Sequence, residues 1–386
     1  MHVGLNLLGL PSVRQGGAGL SARMIAEGLA DRDGVAVTVL AGPQVAEELA
    51  VLDLTVHVSD IPNGKARRVR SVAAALRDPA AFEDARGRPA ADALAGCDVV
   101  HYTLGFMVPP VHDRPRVVTC HDLQHRDVRG AFTPAERALR RLRWDRAVEK
   151  ADHVVTVSSF SAHRVVATLD VDPRRVTVVH LACAPAFAGE RPGPPPVDGR
   201  YLMYPASPLP AKNHVRLLEA FAAVRAEDPE LRLVLVGPAL HDWEAVDAEI
   251  AALALGDAVV QPGTVSLADL HALYAGAVGL VFPSLYEGFG LPVLEAMTAG
   301  CPVVASRAGS VPEILGEGGR TFDPFDADAI ADGIRALTAL SEEERAREVA
   351  RGAAQARRFS TERMIDGALR AYERAIAERR RAGGSR

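Results

Sequence analysis

At 386 residues, with 48% hydrophobic and 24% charged residues, the chain has the composition of a globular protein too long for one ordinary core and suited to two domains. Its formal net charge of −5 argues against nucleic acid as a main partner, because phosphate-backbone binding calls for a basic surface. The opening residues lack the basic start and apolar run of a secretory leader, and no apolar stretch reaches the roughly 18 residues that a spanning helix needs. Cys97, Cys120, Cys183 and Cys301 show no paired spacing, so we expect free thiols in a reducing cytoplasm.

Short β-branched runs alternate with longer helical patterns, the signature of α/β architecture with parallel sheets. Expected strands in the first half are Val3–Leu7, Ala36–Leu40, Val99–Tyr102, Arg116–Cys120, His153–Val157 and Val176–His180, with helices such as Leu20–Ala30 and Pro134–Lys150 between them. The proline- and glycine-rich stretch Gly189–Gly199 suits neither a helix nor a sheet interior and reads as a linker. A second series follows: Tyr201–Tyr204, Leu231–Val236, Ala258–Gln261, Gly279–Phe282 and Pro302–Ala305. The expectation is two doubly wound, Rossmann-like domains, over residues 1–190 and 200–365, joined by 191–199. Such sheets bind ligands at the C-terminal ends of their strands. The tail Thr361–Arg380 reads as one amphipathic helix, whose portion 366–380 is expected to pack back on the first domain.

Several residues carry chemistry. Gly16-Gly17-Ala18-Gly19 opens the first helix, where glycines allow close approach of a ligand and the helix start favours an anion; a tight loop without a ligand explains it equally well. The spacing is not Gly-x-Gly-x-x-Gly, which argues against a nicotinamide cofactor. His121-Asp122 ends the strand before it, at a ligand-side position or simply as a polar strand end. His112, His121 and His125 straddle that strand end at irregular spacing, and we expect no metal there. Lys212, in Tyr204-Pro-Ala-Ser-Pro-Leu-Pro-Ala-Lys-Asn-His214, is a mobile cation able to neutralise a diphosphate, or a loop cap. Most informative is Glu287-Gly-Phe-Gly-Leu-Pro-Val-Leu-Glu295, where two carboxylates bracket a glycine turn and a helix start. Backbone N–H groups there suit a phosphate, and a carboxylate on each side suits sugar hydroxyls. That combination points to a nucleotide-sugar.

With these residues in place, Glu287 to Glu295 resembles the Glu-x7-Glu motif of retaining glycosyltransferase family 4, enzymes of the GT-B fold. The similarity runs along nearly the whole chain, through Gly16-Gly17, His121-Asp122, Thr156-Val-Ser-Ser-Phe-Ser161, Lys212-Asn213, Gly263-Thr-Val-Ser266 and Ala299-Gly-Cys-Pro-Val-Val-Ala305. The resemblance implies two Rossmann-like domains around a central cleft, and roles for individual residues. Glu295 would hold the ribose and Glu287 the donor hexose. Gly288, Phe289, Gly290 and Leu291 would give backbone N–H groups to phosphate and sugar. Lys212, with Gly16 and Gly17 of the other domain, would meet the diphosphate. His121 would bond the sugar near its anomeric carbon, and the backbone at Val265 would meet the base. Many members carry Gly-Arg where this chain has Ala206 and Ser207, so one cation of the usual pair is missing at Ser207. The form of the Lys212 element is similar to that of bacterial mannosyltransferases, which tilts the donor toward GDP-mannose.

The implied activity is transfer of a hexose, with retention, to a hydroxyl of a glycan, lipid-linked glycan or small glycoside, with no cofactor and no required metal. The alternatives are an epimerase of the same fold and a non-catalytic nucleotide-sugar-binding protein. Two basic stretches, Lys65–Arg70 and the arginines 137, 140, 141, 143 and 146, read as solvated faces, the latter paired with Glu136, Asp145 and Glu149. Their sharper reading is contact with an anionic acceptor or an anionic membrane, making the protein cytoplasmic and peripheral at the inner face.

Overall fold

The computed structural model describes residues 1–14, 16–59, 91–189, 193–238 and 243–383. The stretch Lys65–Arg70 lies outside the described residues. The chain forms two compact units: Met1–Arg126, Phe132–Ala182 and Thr361–Arg386 in the first, Asp127–Ala131 and Cys183–Ser360 in the second.

The first unit carries strands β1 (His2–Asn6), β2 (Ala36–Ala41), β3 (Thr55–Val58), β4 (Val99–Tyr102), β5 (Arg116–Cys120), β6 (His153–Thr156) and β7 (Val176–Val178). They form a parallel sheet in the order β3-β2-β1-β4-β5-β6-β7. β4 and β6 are buried along their whole length, as expected of parallel strands covered on both faces. Several polar side chains are buried in this unit, His101 among them. The buried His101 ring meets the Tyr372 hydroxyl at 2.8 Å and Thr119 Oγ1 at 2.7 Å, so both ring nitrogens are satisfied. Tyr372 belongs to helix Thr361–Gly383, which also presses Ile365 against Gly28; a Cβ at Gly28 would come within 2.6 Å of it.

The second unit carries β8 (Tyr201–Pro205), β9 (Arg232–Val236), β10 (Val259–Gly263), β11 (Gly279–Phe282), β12 (Val303–Ser306) and β13 (Arg320–Phe322), parallel in the order β10-β9-β8-β11-β12-β13. In each unit the strand order reverses beside the first strand, between β1 and β4 and between β8 and β11. That is the topological switch point where such sheets open a ligand crevice.

Both sheets gain an edge strand that the sequence pattern does not announce. Thr55–Val58 and Arg320–Phe322 are short and largely exposed, so they lack the apolar run that marks a buried strand. The boundary at Ala182–Cys183 precedes the proline-rich stretch. Phe187 is fully buried, edge-on to Tyr274 and His271 at 5.8 and 6.2 Å, which holds this segment on the second unit.

A correction concerns the arginine-rich helical run. It is not one regular helix: Pro134–Arg140 passes through a π-helical turn, Arg141–Asp145, into Arg146–Lys150. Asp145 does not pair with the arginines of this run. It is buried and bonds His125 Nε2 at 2.8 Å and the Arg126 guanidinium at 2.5 Å.

Candidate active site

On the second unit the site grows from the two strands flanking the switch point. Beyond β8 the chain makes a short 3-10 turn, Pro210–Lys212, that stops at Asn213 in left-handed conformation (φ 61°). Asn213 Nδ2 donates to Pro283 O and Pro324 O, and Leu285 N–H donates to Ala211 O at 2.7 Å, stitching this turn to the loop after β11. Tyr204, fully buried at the end of β8, donates to Lys212 O at 2.7 Å and shares a hydrogen bond with Ser284 Oγ. The result aims Lys212 at Glu287: Nζ to Oε1 is 2.5 Å, with both side chains largely shielded.

The turn after Glu287 is fixed from behind. Ser310 is fully buried with its hydroxyl 2.8 Å from Phe289 O and 3.0 Å from Glu287 O, and its N–H donates to Glu287 O as well. Gly309 has φ +63°, and a Cβ there would come within 2.9 Å of Glu287 N and O, so this close approach requires glycine. Gly290 (φ 100°) starts helix Leu291–Thr298 with Pro292 in its first turn, and no side chain caps it. A helix start of this kind presents N–H groups and a positive dipole end to an anion.

Glu295, one turn in, is 8% exposed and accepts a hydrogen bond from Tyr274 at 3.0 Å. Burial pushes its carboxyl up to about 7, although the Tyr274 hydroxyl acts the other way. The same burial and the adjacent Glu295 carboxylate hold Tyr274 well above the usual phenol range. Ser207 and Val265 sit half-buried in the loops after β8 and β10. Ala206, beside Ser207, is pressed on by Gly237, where a Cβ would lie 2.6 Å from Ala206 O. In place of an arginine at 207, the nearby cation one turn beyond Lys212 is Arg216, engaged with Asn213 Oδ1 at 2.9 Å and Pro324 O.

On the first unit His121 follows β5. Thr103 O accepts from Nε2–H at 2.8 Å, which leaves Nδ1 as the acceptor nitrogen, and burial holds the ring below the usual imidazole range. It borders a small pocket with Ser21, Ile25, Thr103, Thr119 and Met364. Gly16 (φ 72°) starts helix Gly17–Ala30, three residues before the expected Leu20. The glycine of this loop that the packing demands is Gly19, whose Cβ would lie 2.3 Å from Ser12 O. Ser12 Oγ and Val13 N–H donate to the Glu48 carboxylate, pinning the loop from helix Pro43–Leu49. Among the described residues no group of three or more His, Cys, Asp or Glu side chains gathers as metal ligands, and His125 is taken by Asp145.

The geometry thus brings Lys212 to Glu287 and sets Glu295 behind the same turn, while His121 and Gly16-Gly17 stand on the other unit. Tyr204, Tyr274, Glu48, Gly309 and Ser310 are not singled out by sequence reasoning. Only Gly309-Ser310, in the loop after β12, carried a visible signal.

Residues 15–187 match the family described as Glycosyltransferase Family 4, and residues 190–355 the family described as Glycosyl transferases group 1. The chain is 32% identical to O-antigen chain mannosyltransferase B of Escherichia coli over 72% of this chain and 74% of that protein. It is 34% identical to an MMP alpha-(1->4)-mannosyltransferase of Mycolicibacterium hassiacum over 60% of this chain and 56% of that one. Among solved structures, sucrose-phosphate synthase from Thermosynechococcus elongatus superposes with TM-score 0.72 at 18% identity, covering 97% and 99% of the two chains. Anabaena HepE in complex with UDP and glucose superposes with TM-score 0.71 at 20% identity, covering 96% and 98%. These structures share the GT-B fold of two Rossmann-like domains. The chain is a glycosyltransferase and belongs to glycosyltransferase family 4.

Proposed function

We propose that the protein transfers a hexose, with retention of anomeric configuration, from a nucleoside-diphosphate sugar to an acceptor hydroxyl, GDP-mannose being the favoured donor. The observation that carries this is the Lys212–Glu287 pair at 2.5 Å beside the uncapped helix start at Gly290, with Glu295 buried behind it. The mannosyltransferase relatives support the choice of sugar. Relatives described as D-inositol 3-phosphate glycosyltransferases, 30–31% identical, widen the acceptor class to small phosphorylated molecules.

Breaking the anomeric carbon–oxygen bond sends its electron pair to the diphosphate and leaves positive character on the sugar. Lys212 and the N–H groups of Gly288–Leu291 stabilise the leaving group, the larger electrostatic contribution. Glu287 orients the hexose hydroxyls and favours the oxocarbenium-like state. Glu295 holds the ribose and the backbone at Val265 meets the base. His121, with Nδ1 as acceptor, bonds a donor-sugar hydroxyl, and Gly16-Gly17 approach the diphosphate. The acceptor oxygen attacks from the leaving-group face, and its proton passes to a phosphate oxygen. The scheme needs no metal, because Lys212 and the helix start supply the positive charge.

Thermal-shift titration with GDP-, UDP-, ADP- and dTDP-sugars identifies the donor, since stabilisation grows with the logarithm of ligand concentration over affinity. NMR of the product then reads the anomer. A product of inverted configuration sinks the retaining mechanism, and epimerised donor without transfer sinks the transferase reading of the site.

A further inference from the structure

We propose that Glu48 is a positioning residue for the transfer reaction, setting the glycine loop Gly16-Gly17 of the first unit without touching substrate itself. The inference rests on the proposed role of that loop at the donor diphosphate, and adds the residue that fixes where the loop stands.

The chain between β1 and helix Gly17–Ala30 leaves the sheet at its switch point, on the edge where ligands bind. Gly16 and Gly17 are exposed, and a Cβ at Gly16 would meet no atom within 4 Å. Packing therefore does not hold Gly16 in place. It is tied to the helix by the bond from Leu20 N–H to Gly16 O at 3.0 Å, so its position follows from the base of the loop and the helix start. That base is buried, with Ser12 8% exposed and Val13 fully enclosed. Both are fastened to Glu48 on helix Pro43–Leu49. Ser12 Oγ lies 2.9 Å from each oxygen of the carboxylate, and Val13 N–H donates to Oε2 at 2.7 Å. The same hydroxyl accepts from Arg14 N–H at 2.9 Å, which carries the restraint one residue nearer the glycines. Gln44, one turn earlier on the helix, donates to Oε1 at 3.3 Å.

Gly19 completes the path from Glu48 to the glycines. A Cβ there would lie 2.3 Å from Ser12 O and 3.3 Å from Val13 Cα, so the first turn of the helix rests on the very backbone that Glu48 holds. Charge makes this anchor strong. Burial opposes ionisation of Glu48, but the bonds from Val13, Ser12 and Gln44 hold its carboxyl below the usual range. It accepts as a carboxylate, and charge-assisted bonds are roughly twice as strong as neutral ones. An amide at this place offers one accepting oxygen instead of two, so it cannot repeat the grip on Ser12 and Val13. Backbone donors act on a leaving diphosphate only when they stand where its charge develops, and a displacement of about 1 Å can cost about 10²-fold in rate.

The test measures GDP binding by calorimetry, GDP-mannose turnover by GDP release, and Tm, all on the full chain; UDP-, ADP- and dTDP-sugars replace the probe if they bind instead. Wild type, Glu48→Gln, Ser12→Ala and the double variant form a cycle, with Glu47→Gln, an exposed neighbour on the same helix, as the control expected to change nothing. Each single variant is expected to lower kcat by about tenfold or more while GDP affinity moves by less than about threefold, because on the proposed reading Lys212 and Glu295 of the second unit hold the nucleotide. The double variant should be little worse than either single one, since both cut the same link. A fall in Tm with kcat per folded molecule unchanged, or losses of kcat that simply add in the double variant, overturns the proposal and leaves Glu48 a staple of the fold. Should Glu48→Gln not fold, Ser12→Ala decides by the same split between kcat and GDP affinity. A wild-type chain that binds no nucleotide of the panel overturns the donor reading and this proposal with it, whereas turnover that the variants leave intact overturns this proposal alone.

Discussion

Lys212 and Glu287 neutralise each other across a 2.5 Å contact although 75 residues separate them. They meet because β8 and β11, which precede them, are hydrogen-bonded neighbours. On the proposed reading, the cation that would meet the diphosphate is held by the carboxylate that would meet the sugar. A donor carrying both groups can satisfy both residues at once, whereas a nucleoside diphosphate alone takes Lys212 and leaves Glu287 shielded and unpaired.

Glu287→Gln is accordingly expected to raise affinity for the free nucleoside diphosphate by up to about tenfold, because Lys212 no longer has a competing partner. The same change should cut kcat by about 10²-fold or more, through loss of charge at the reacting sugar. Lys212→Met should do the opposite to the first quantity, lowering diphosphate affinity by about tenfold. Calorimetric titration and initial rates separate the two. Unchanged or weaker diphosphate binding in Glu287→Gln would contradict the exchange.

Glu295 gives a pH dependence. Its carboxyl is pushed up to about 7 in the folded chain, above its ordinary value near 4.5. The folded state then binds more protons than the unfolded one between those values, so stability falls as pH rises through this window and levels off above about 7. Glu295→Gln should remove this dependence and stabilise the unliganded chain at pH 8 by about 3 kcal/mol. It should also weaken nucleotide binding, which in the wild type is expected to strengthen as pH rises through 7 and the carboxylate forms. Melting curves and GDP titrations at pH 6 and 8 check both signs.

The turn carrying Glu287 can be disturbed without touching a ligand-facing side chain. Ser310→Ala removes the hydroxyl at Phe289 O and Glu287 O, a loss of about 1–2 kcal/mol in stability. Gly309→Ala places a methyl 2.9 Å from the Glu287 backbone at a positive φ, and should lower kcat more than Ser310→Ala does. Comparing kcat and Tm for the pair tests this order.

On the first unit, Tyr372→Phe leaves His101 Nδ1 buried without its 2.8 Å partner. Its expected effect is a loss of about 1–2 kcal/mol in stability with little change in nucleotide affinity. A large loss of affinity without a fall in Tm would show that the helix does more than hold the unit together.

What could be read from the chain alone depended on how local its cause was. The eleven strands expected from the sequence announce themselves through apolar runs, and the helix start beside Gly290 through Pro292. The edge strands at Thr55 and Arg320 do not, because exposure erases the pattern. The spacing of Glu287 and Glu295 is legible, but the partner of Glu295 is not. Tyr274 lies on a preceding helix, and nothing in its own neighbourhood marks it as a hydrogen-bond donor.

The sequence by itself determined the architecture and the reaction class, because hydrophobic periodicity and a short run of acids around a glycine turn are local facts. Tertiary structure alone decided how charges are distributed. Strand order set Lys212 on Glu287, burial raised Glu295 toward neutrality, and Asp145 turned inward to His125 and Arg126. Pairing and desolvation depend on what the rest of the chain brings alongside, and no window of sequence contains that.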